Sequence, residues 1–426
     1  MDTNIIHTGD CFDVLTELPD ESVHAVVSDP PYGLAFMGRD WDDFEPKEYQ
    51  EWCEKWAREC LRVLKPGGHM LAFSGNRTHH RLFTGVEDAG FEIRDTLTWH
   101  YGSGFPKAAD VSKTIDKRAG AEREVVGRAT DATGREVADG YDEESTDYGT
   151  VKRNAYETVA ATDAAKKWDG WKTGLKPSTE FVVMARKPYD GATVDSVLEH
   201  GTGALNIDAC RVENDIDEVI TTERTSERNQ NAYGKAEQSD IRTATPEGRY
   251  PSNLIFDELA ADALDEEVGE KSSGDLKPEY NLDKEKANQT SKYGDVSDEV
   301  YNKIEGRVYA DSGGVSRYFY TSKASKAERT LDGKIDNAHP TVKPGDLMQW
   351  LVKLVTAENQ IVLDPFCGSG TTLRAAKDLN RQFIGIERQA KWADVARVRA
   401  GLTPEDPSIV RDDAGQSGLE AYKVTQ

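Results

Sequence analysis

Apolar residues in this chain come in two spacings, short unbroken runs and helix-like intervals. His24 to Ser28 is a short apolar run leading straight into Asp29, Pro30, Pro31, Tyr32 and Gly33. Proline cannot continue a hydrogen-bonded ladder, so a strand must end there. From Pro46 to Leu64, residues Tyr49, Trp52, Cys53, Trp56, Cys60, Leu61 and Leu64 carry a helical pattern, and Lys65 to Gly68 stops it. Runs at His69–Ser74, Phe91–Tyr101 and Glu180–Ala185 predict three more strands. The C-terminal part repeats the theme: an amphipathic helix over Leu347–Val355, a strand over Gln360–Asp364, a glycine turn over Phe366–Thr372, a helix over Leu373–Leu379 and a strand over Gln382–Glu387. Strands alternating with helices predict an α/β fold with a doubly wound, mostly parallel sheet.

Two stretches, about residues 111–172 and 212–315, lack this pattern and are rich in Asp, Glu, Thr, Ser and Gly. Surface insertion loops and a recognition region interrupted by loops both fit them. The segment after about residue 401 reads as a polar tail.

Charge changes the picture more than length does. The 426 residues carry a formal net charge of -24, with acidic residues spread along most of the chain. An acidic protein that avoids nucleic acid is one explanation. The other is a protein adapted to a salt-rich cytoplasm, where the Debye length at molar salt is about 3 Å. Repulsion from phosphate is then nearly silent, and counterion release contributes little to binding. The spread of the acidity favours the second explanation.

The five cysteines, Cys11, Cys53, Cys60, Cys210 and Cys367, are odd in number and form no Cys-x-x-Cys pair. Neither a disulfide framework nor a zinc site is expected. With no signal-like N-terminus and no run of membrane-spanning length, a soluble cytoplasmic protein is expected.

Two motifs carry chemistry. The first spans Asp364 to Gly370 between a strand and a helix, where Gly368 and Gly370 permit a tight turn and close approach of a ligand. The following helix points free N–H groups at that ligand. Glu387 ends the next strand about 20 residues on, where nucleotide folds place an acid for ribose hydroxyls. The motif suits a nucleoside-containing cofactor and has no Walker lysine. An NAD-linked enzyme would show a third glycine at position 373, which is Leu373.

The second motif is Asp29-Pro30-Pro31-Tyr32 at the carboxyl end of a strand, where ligands bind in open α/β sheets. The Asp29 carboxylate and the Pro30 carbonyl can converge on an amino group. An exocyclic amine on a base is a poor nucleophile, because its lone pair is delocalised into the ring. Two acceptors gripping its hydrogens free that pair and stabilise the positive charge that develops. Tyr32 offers a flat face for an extruded base.

Together these residues resemble the β-class DNA amino-methyltransferases, in which an Asp-Pro-Pro-Tyr element precedes the recognition region and a Phe-x-Gly-x-Gly element follows it. The match covers about residues 5–110 and 335–400, with scattered pieces at Tyr101–Pro106, Gly203–Asp208, Gly248–Asn253 and Tyr318–Ala324 that resemble the phage and plasmid branch.

The resemblance implies one seven-stranded Rossmann-like sheet read from a permuted start. Residues 1–110 would form the catalytic half, 111–334 the target-recognition region with its insertion loops, and 335–400 the cofactor half. It implies S-adenosylmethionine as cofactor, with no metal, and double-stranded DNA as partner. It leaves room for a homodimer and for a cognate restriction endonuclease, and points to a prokaryotic or viral source. Asp29, Pro30, Pro31 and Tyr32 would be catalytic. Asp10, Thr341, Lys343, Asp364, Phe366, Cys367, Gly368, Ser369, Gly370, Thr371 and Glu387 would hold the cofactor. Asp10 reads equally well as a helix cap.

Asp at position 29 goes more often with adenine N6 than with cytosine N4, where Ser is commoner. Asn would be commoner there in enzymes acting on protein glutamine or RNA guanine. Cytosine C5 chemistry needs a cysteine nucleophile, usually after proline, and none of the five follows one. A non-catalytic regulator on the same scaffold would show erosion at Asp29, Tyr32 or the glycine turn, and all are intact.

Overall fold

The computed structural model describes residues 1–34, 42, 44–104, 108–128, 156–213, 248–272, 312–322, 326–335, 337, 339 and 341–410. It also describes paired strand residues at 145–146, 149–150, 221–222, 230–231, 234–235 and 242–243. Two compact units emerge. The first comprises residues 1–206, 253–259 and 322–426, the second residues 207–252 and 260–321.

The main sheet has nine strands. In chain order they are β1 (Ile5–Thr8), β2 (Val23–Ser28), β3 (Leu64–Gly75), β4 (Glu92–His100), β5 (Thr179–Arg186), β6 (Leu254–Asp257), β7 (Tyr320–Ser322), β8 (Ile361–Asp364) and β9 (Gln382–Glu387). Their order across the sheet is β1-β9-β8-β2-β3-β5-β4-β6-β7. The run from β1 to β4 supplies the seven strands expected. The eighth and ninth come from the two middle pieces around Asn253 and Tyr318.

Neighbours pair in parallel from β1 through β3, and β4 pairs in parallel with β6. Strand β5 runs antiparallel to both of its neighbours. The central strands β2 and β8 are apolar on both faces: Ala25, Val26, Val27, Val362 and Leu363 are fully buried. That is the pattern of strands covered by helices on both sides.

The covering helices include α1 (Cys11–Glu17), α2 (Pro46–Val63), α3 (His79–Asp88), α5 (Gly345–Val355), α6 (Thr371–Asp378) and α7 (Ala390–Arg399), while α4 (Val111–Ala119) belongs to the segment between β4 and β5. Helix α2 buries Tyr49, Cys53, Trp56 and Cys60, the helical pattern noted in the sequence. The stop at Lys65–Gly68 is a bulge inside β3: pairing with β2 jumps from Val23–Leu64 to Ala25–His69, and Gly67 takes φ 76°. All five cysteines are free and buried.

Part of the stretch that reads as loop is folded. Helix α4 is capped by the Asp110 carboxylate and ended by Gly120 at φ 63°. Asp116 is buried and accepts hydrogen bonds from Arg123, the Ala161 and Thr162 amides and the Thr162 hydroxyl, at 2.6–3.0 Å. This knot closes the insert on itself. The insert leaves the sheet after β4 and re-enters at β5. In the second unit, Val212 and Arg249 bridge, and Asp265 accepts from the Ser316 amide and hydroxyl. The tail from 411 onward, Phe105, Pro106 and most of 214–247 and 273–311 lie outside the described residues.

Candidate active site

Strands β2 and β8 lie side by side, with Val26 opposite Leu363, so the loops at their carboxyl ends emerge together. Those loops carry the two sequence motifs. The Ser28 hydroxyl donates to the Asp364 carboxylate at 2.5 Å, joining them across 336 residues of chain. Both side chains are buried. Burial lifts the Asp364 carboxyl to about 6, against the opposing pull of hydrogen bonds from Ser28, Thr372 and the Phe366 amide.

The Asp29 loop is braced from several sides. Tyr49 of α2 donates its hydroxyl to the Pro31 carbonyl at 2.9 Å. The buried Asp42 carboxylate accepts from the Gly33 and Leu34 amides at 2.6 and 3.1 Å. Gly33 sits at φ 65° against the Tyr49 ring, where a Cβ would come within 2.6 Å of a ring carbon. A side chain there would push the Asp29 loop off its helix.

Four polar side chains converge beyond this loop. The Tyr32 hydroxyl lies 2.9 Å from Asp29 Oδ1 and 3.0 Å from Glu180 Oε2. Lys343 Nζ lies 2.5 Å from Asp29 Oδ2, 3.3 Å from the Tyr32 hydroxyl and 3.4 Å from Glu180 Oε2. The Lys343 side chain is only 8% exposed, and its ammonium also faces the Phe73 and Tyr32 rings at 4.9 and 5.5 Å from their centroids. Burial disfavours its charge, but the carboxylates of Asp29 and Glu180 prevail and raise its pKa, so it stays an ammonium. Burial and Asp29 raise the Glu180 carboxyl, with Lys343 pulling the other way. The Tyr32 phenol is pushed well up by burial and by the two carboxylates, and remains protonated.

Next to this cluster lies the glycine turn. Gly368 has φ 51° and Gly370 φ 81°, both in the left-handed region that glycine tolerates. A Cβ on Gly368 would meet the His339 ring at 3.0 Å, and one on Gly370 would meet Ala396 of α7 at 2.8 Å. Phe366 anchors the turn on α2, with its ring 5.3 Å from both Trp52 and Trp56. Such aromatic pairs add about 0.5–1.5 kcal/mol beyond their buried area. Behind the turn, the buried Arg399 donates to the Ser369 carbonyl and hydroxyl and the Thr371 hydroxyl at 2.9–3.1 Å. In the segment before α5, Arg329 donates to the Asn337 and His339 carbonyls.

One pocket joins the motifs. Asp29, Thr341, Lys343, Asp364, Phe366, Cys367, Gly368, Ser369 and Thr371 line it, together with His339, Val342, Met348 and Thr372. Nine of the fifteen residues singled out in the sequence therefore share one cavity.

The other six are placed differently. Tyr32 touches Asp29 from the side through its hydroxyl, and Pro30 and Pro31 carry the chain between them. Gly370 forms the cap of α6. Glu387 accepts from the amides of Gly368 and Gln389 at the pocket's edge, and burial raises its carboxyl. The Asp10 carboxylate accepts from the Phe12 amide and caps α1.

Glu180 is the residue that the sequence hides. It begins an apolar strand, and its position at the site follows only from the reversed direction of β5. The register sets it opposite Gly75 of β3 and Trp99 of β4, at the end where the parallel strands finish. Lys343 was legible as a pocket residue but not as the partner of Asp29. The pocket suits a cationic, nucleoside-bearing cofactor: Asp29 and Asp364 face it with carboxyls, and Gly368 leaves space that a Cβ would narrow.

Comparison with known proteins gives the family. The DNA methylase family model for N6 and N4 enzymes matches residues 23–397. The chain is 24% identical over 437 residues to the type II methyltransferase M.HindIII of Haemophilus influenzae, covering 93% of this chain and 95% of that one. It is 46% identical over 83 residues to M.HinfI of the same species, covering 20% and 23%. Among solved structures, the PvuII cytosine-N4-specific DNA methyltransferase aligns over 94% of this chain and 86% of its own, with 14% identity and a TM-score of 0.43. The TTHA0409 protein of Thermus thermophilus, solved with S-adenosyl-L-methionine, aligns over 93% and 92% with 15% identity and a TM-score of 0.37. With the family's motifs meeting in one pocket and its model spanning most of the sequence, this chain belongs to the N6/N4 DNA methylase family.

Proposed function

We propose that this DNA methyltransferase methylates the N6 amine of adenine at specific DNA sites, with the base extruded against Asp29 and Tyr32. The observation that carries the reading is the shared cavity: Asp29 and Gly368 line one pocket although they lie far apart in sequence. The choice of adenine rests on an aspartate, not a serine, at position 29. Cytosine N4 is the second reading, since the same acceptors would grip either amine.

S-adenosylmethionine is the methyl donor, and when bound it supplies an electrophilic methyl group. Thr341, Asp364, Phe366, Cys367, Gly368, Ser369 and Thr371 would hold it, with Glu387 at the edge. The chain's own part is to bind and orient. Asp29 and the Pro30 carbonyl accept the amine hydrogens. The Asp29 carboxylate then stabilises the positive charge developing on the amine and can take the released proton. Helix α2, through Tyr49 and the Trp52–Phe366 contact, keeps the two motifs in register, which is worth orders of magnitude in rate when the reacting groups are held in line.

Target recognition falls to the middle stretch. Its described part within the first unit springs from the same sheet edge as Asp29 and exposes Trp168 and Trp171 beside Lys166 and Lys167. Exposed aromatics among cations suit stacking on an opened duplex. Expression in a methylation-free host, followed by sequencing that reports modified bases, tests the reading. N6-methyladenine at one recurring sequence is expected, and Trp171→Ala should methylate the same atom at fewer sites. N4-methylcytosine would establish the second reading, and no modified base would end both.

The charge of -24 supports a salt-rich working environment. The melting temperature should rise as KCl increases from dilute buffer toward molar. A flat curve removes that reading.

A further inference from the structure

Asp29 faces a problem that its intended role does not allow. It is to stabilise a cation on the amine, yet an ammonium already sits 2.5 Å from its Oδ2. Lys343 is held there by burial and by two aromatic rings. Taken alone, Lys343 and Asp29 cancel. The pair would then offer no net negative charge to a developing cation.

Glu180 changes this count. With Asp29, Lys343 and Glu180 all ionised, and Tyr32 neutral, the cluster carries a net charge of minus one. Lys343 has a second anionic partner already within 3.4 Å. When an amine donates a hydrogen bond to the Asp29 carboxylate, the ammonium can shift its weight to Glu180 without leaving the cluster. The Tyr32 hydroxyl, within hydrogen-bond distance of both carboxylates, can follow the same shift.

We propose that Glu180 and Lys343 are paired positioning residues, with Glu180 drawing the Lys343 ammonium off Asp29 so that Asp29 is free, and net anionic, when the base amine arrives. The inference rests on the reading of Asp29 as the amine acceptor. It assigns a role to a carboxylate that enters the site from the antiparallel strand, and it makes the lysine a device that orients Asp29 in the free enzyme.

The test is a double-mutant cycle on single-turnover methyl transfer to a duplex substrate, with Glu180→Gln, Lys343→Met and the double variant. Glutamine keeps an oxygen that can accept from Tyr32 and removes only the charge. Glu180→Gln should lower the transfer rate on the order of 10²-fold, the scale of losing one preorganised electrostatic partner, with cofactor affinity by calorimetry within a factor of about three. Adding Lys343→Met to Glu180→Gln restores the net charge of minus one, so the double variant should regain tenfold or more over Glu180→Gln alone. Two losses that simply multiply would overturn the proposal, as would a wild-type rate from Glu180→Gln. Circular dichroism on each variant separates these outcomes from unfolding. If Asp29→Asn also transfers at the wild-type rate, it is the reading of Asp29 that fails, not the role of its neighbours.

Discussion

Asp29→Ala should abolish methyl transfer, by about 10³-fold or more, while S-adenosylmethionine still binds. The scale is that of removing a preorganised group aimed at the charge of a transition state. The substitution deletes the proposed acceptor of the amine and leaves Lys343 with one carboxylate instead of two. Breaking a buried ion pair by removing one partner costs about 3–5 kcal/mol. Here the loss is smaller, because Asp29 is 17% exposed and Glu180 still faces the ammonium. Asp29→Asn, which keeps the shape, is the companion variant. Transfer measured with tritiated cofactor, beside calorimetry of cofactor binding, gives the two readouts. A wild-type rate from Asp29→Ala would end the mechanism.

Gly368→Val should do the reverse, removing cofactor binding and with it all activity. Gly368 sits at φ 51°, where a β-branched residue is a genuine outlier, and such strain costs on the order of 1–3 kcal/mol. A Cβ there would also press on the His339 ring, and the further methyls of valine would intrude on the pocket that Gly368 lines. Affinity should fall at least 100-fold, seen as loss of the calorimetric signal, with the melting temperature of the free protein lowered by a few degrees. Binding within threefold of wild type would show that the cofactor does not approach this turn. The two variants would thus separate binding of the cofactor from transfer of the methyl group.

Much of this was legible in the sequence because its signals are local. Pro30 and Pro31 end a strand whatever surrounds them, and Gly368 and Gly370 mark a turn that few other residues could make. The apolar run over Gln360–Asp364 and the helical spacing from Tyr49 to Leu64 likewise need no partner to be read. Direction and neighbourhood are different. Nothing in Glu180–Ala185 reveals that the strand runs antiparallel, yet that reversal brings Glu180 to Asp29. The contact between Lys343 and Asp29 depends on how the segment around His339 docks, with the His339 ring packed beside Gly368. The knot around Asp116 was hidden for the same reason, since its partners at Ala161 and Thr162 lie 45 and 46 residues away behind a polar stretch.

Asp10 shows the opposite limit. Two roles fitted one residue, and its hydrogen bond to the Phe12 amide shows that the capping role is filled.

The reversal of β5 has a further consequence for how such an enzyme can change. A crossover between parallel strands must return along the whole sheet, so its length and packing are constrained by the core it covers. The segment between β4 and β5 begins and ends on the same rim. It can be lengthened, shortened or exchanged between relatives without rethreading any helix, while Asp29, Lys343 and Gly368 stay where they are. One strand running backwards therefore lets that segment vary in length without disturbing the cluster around Asp29.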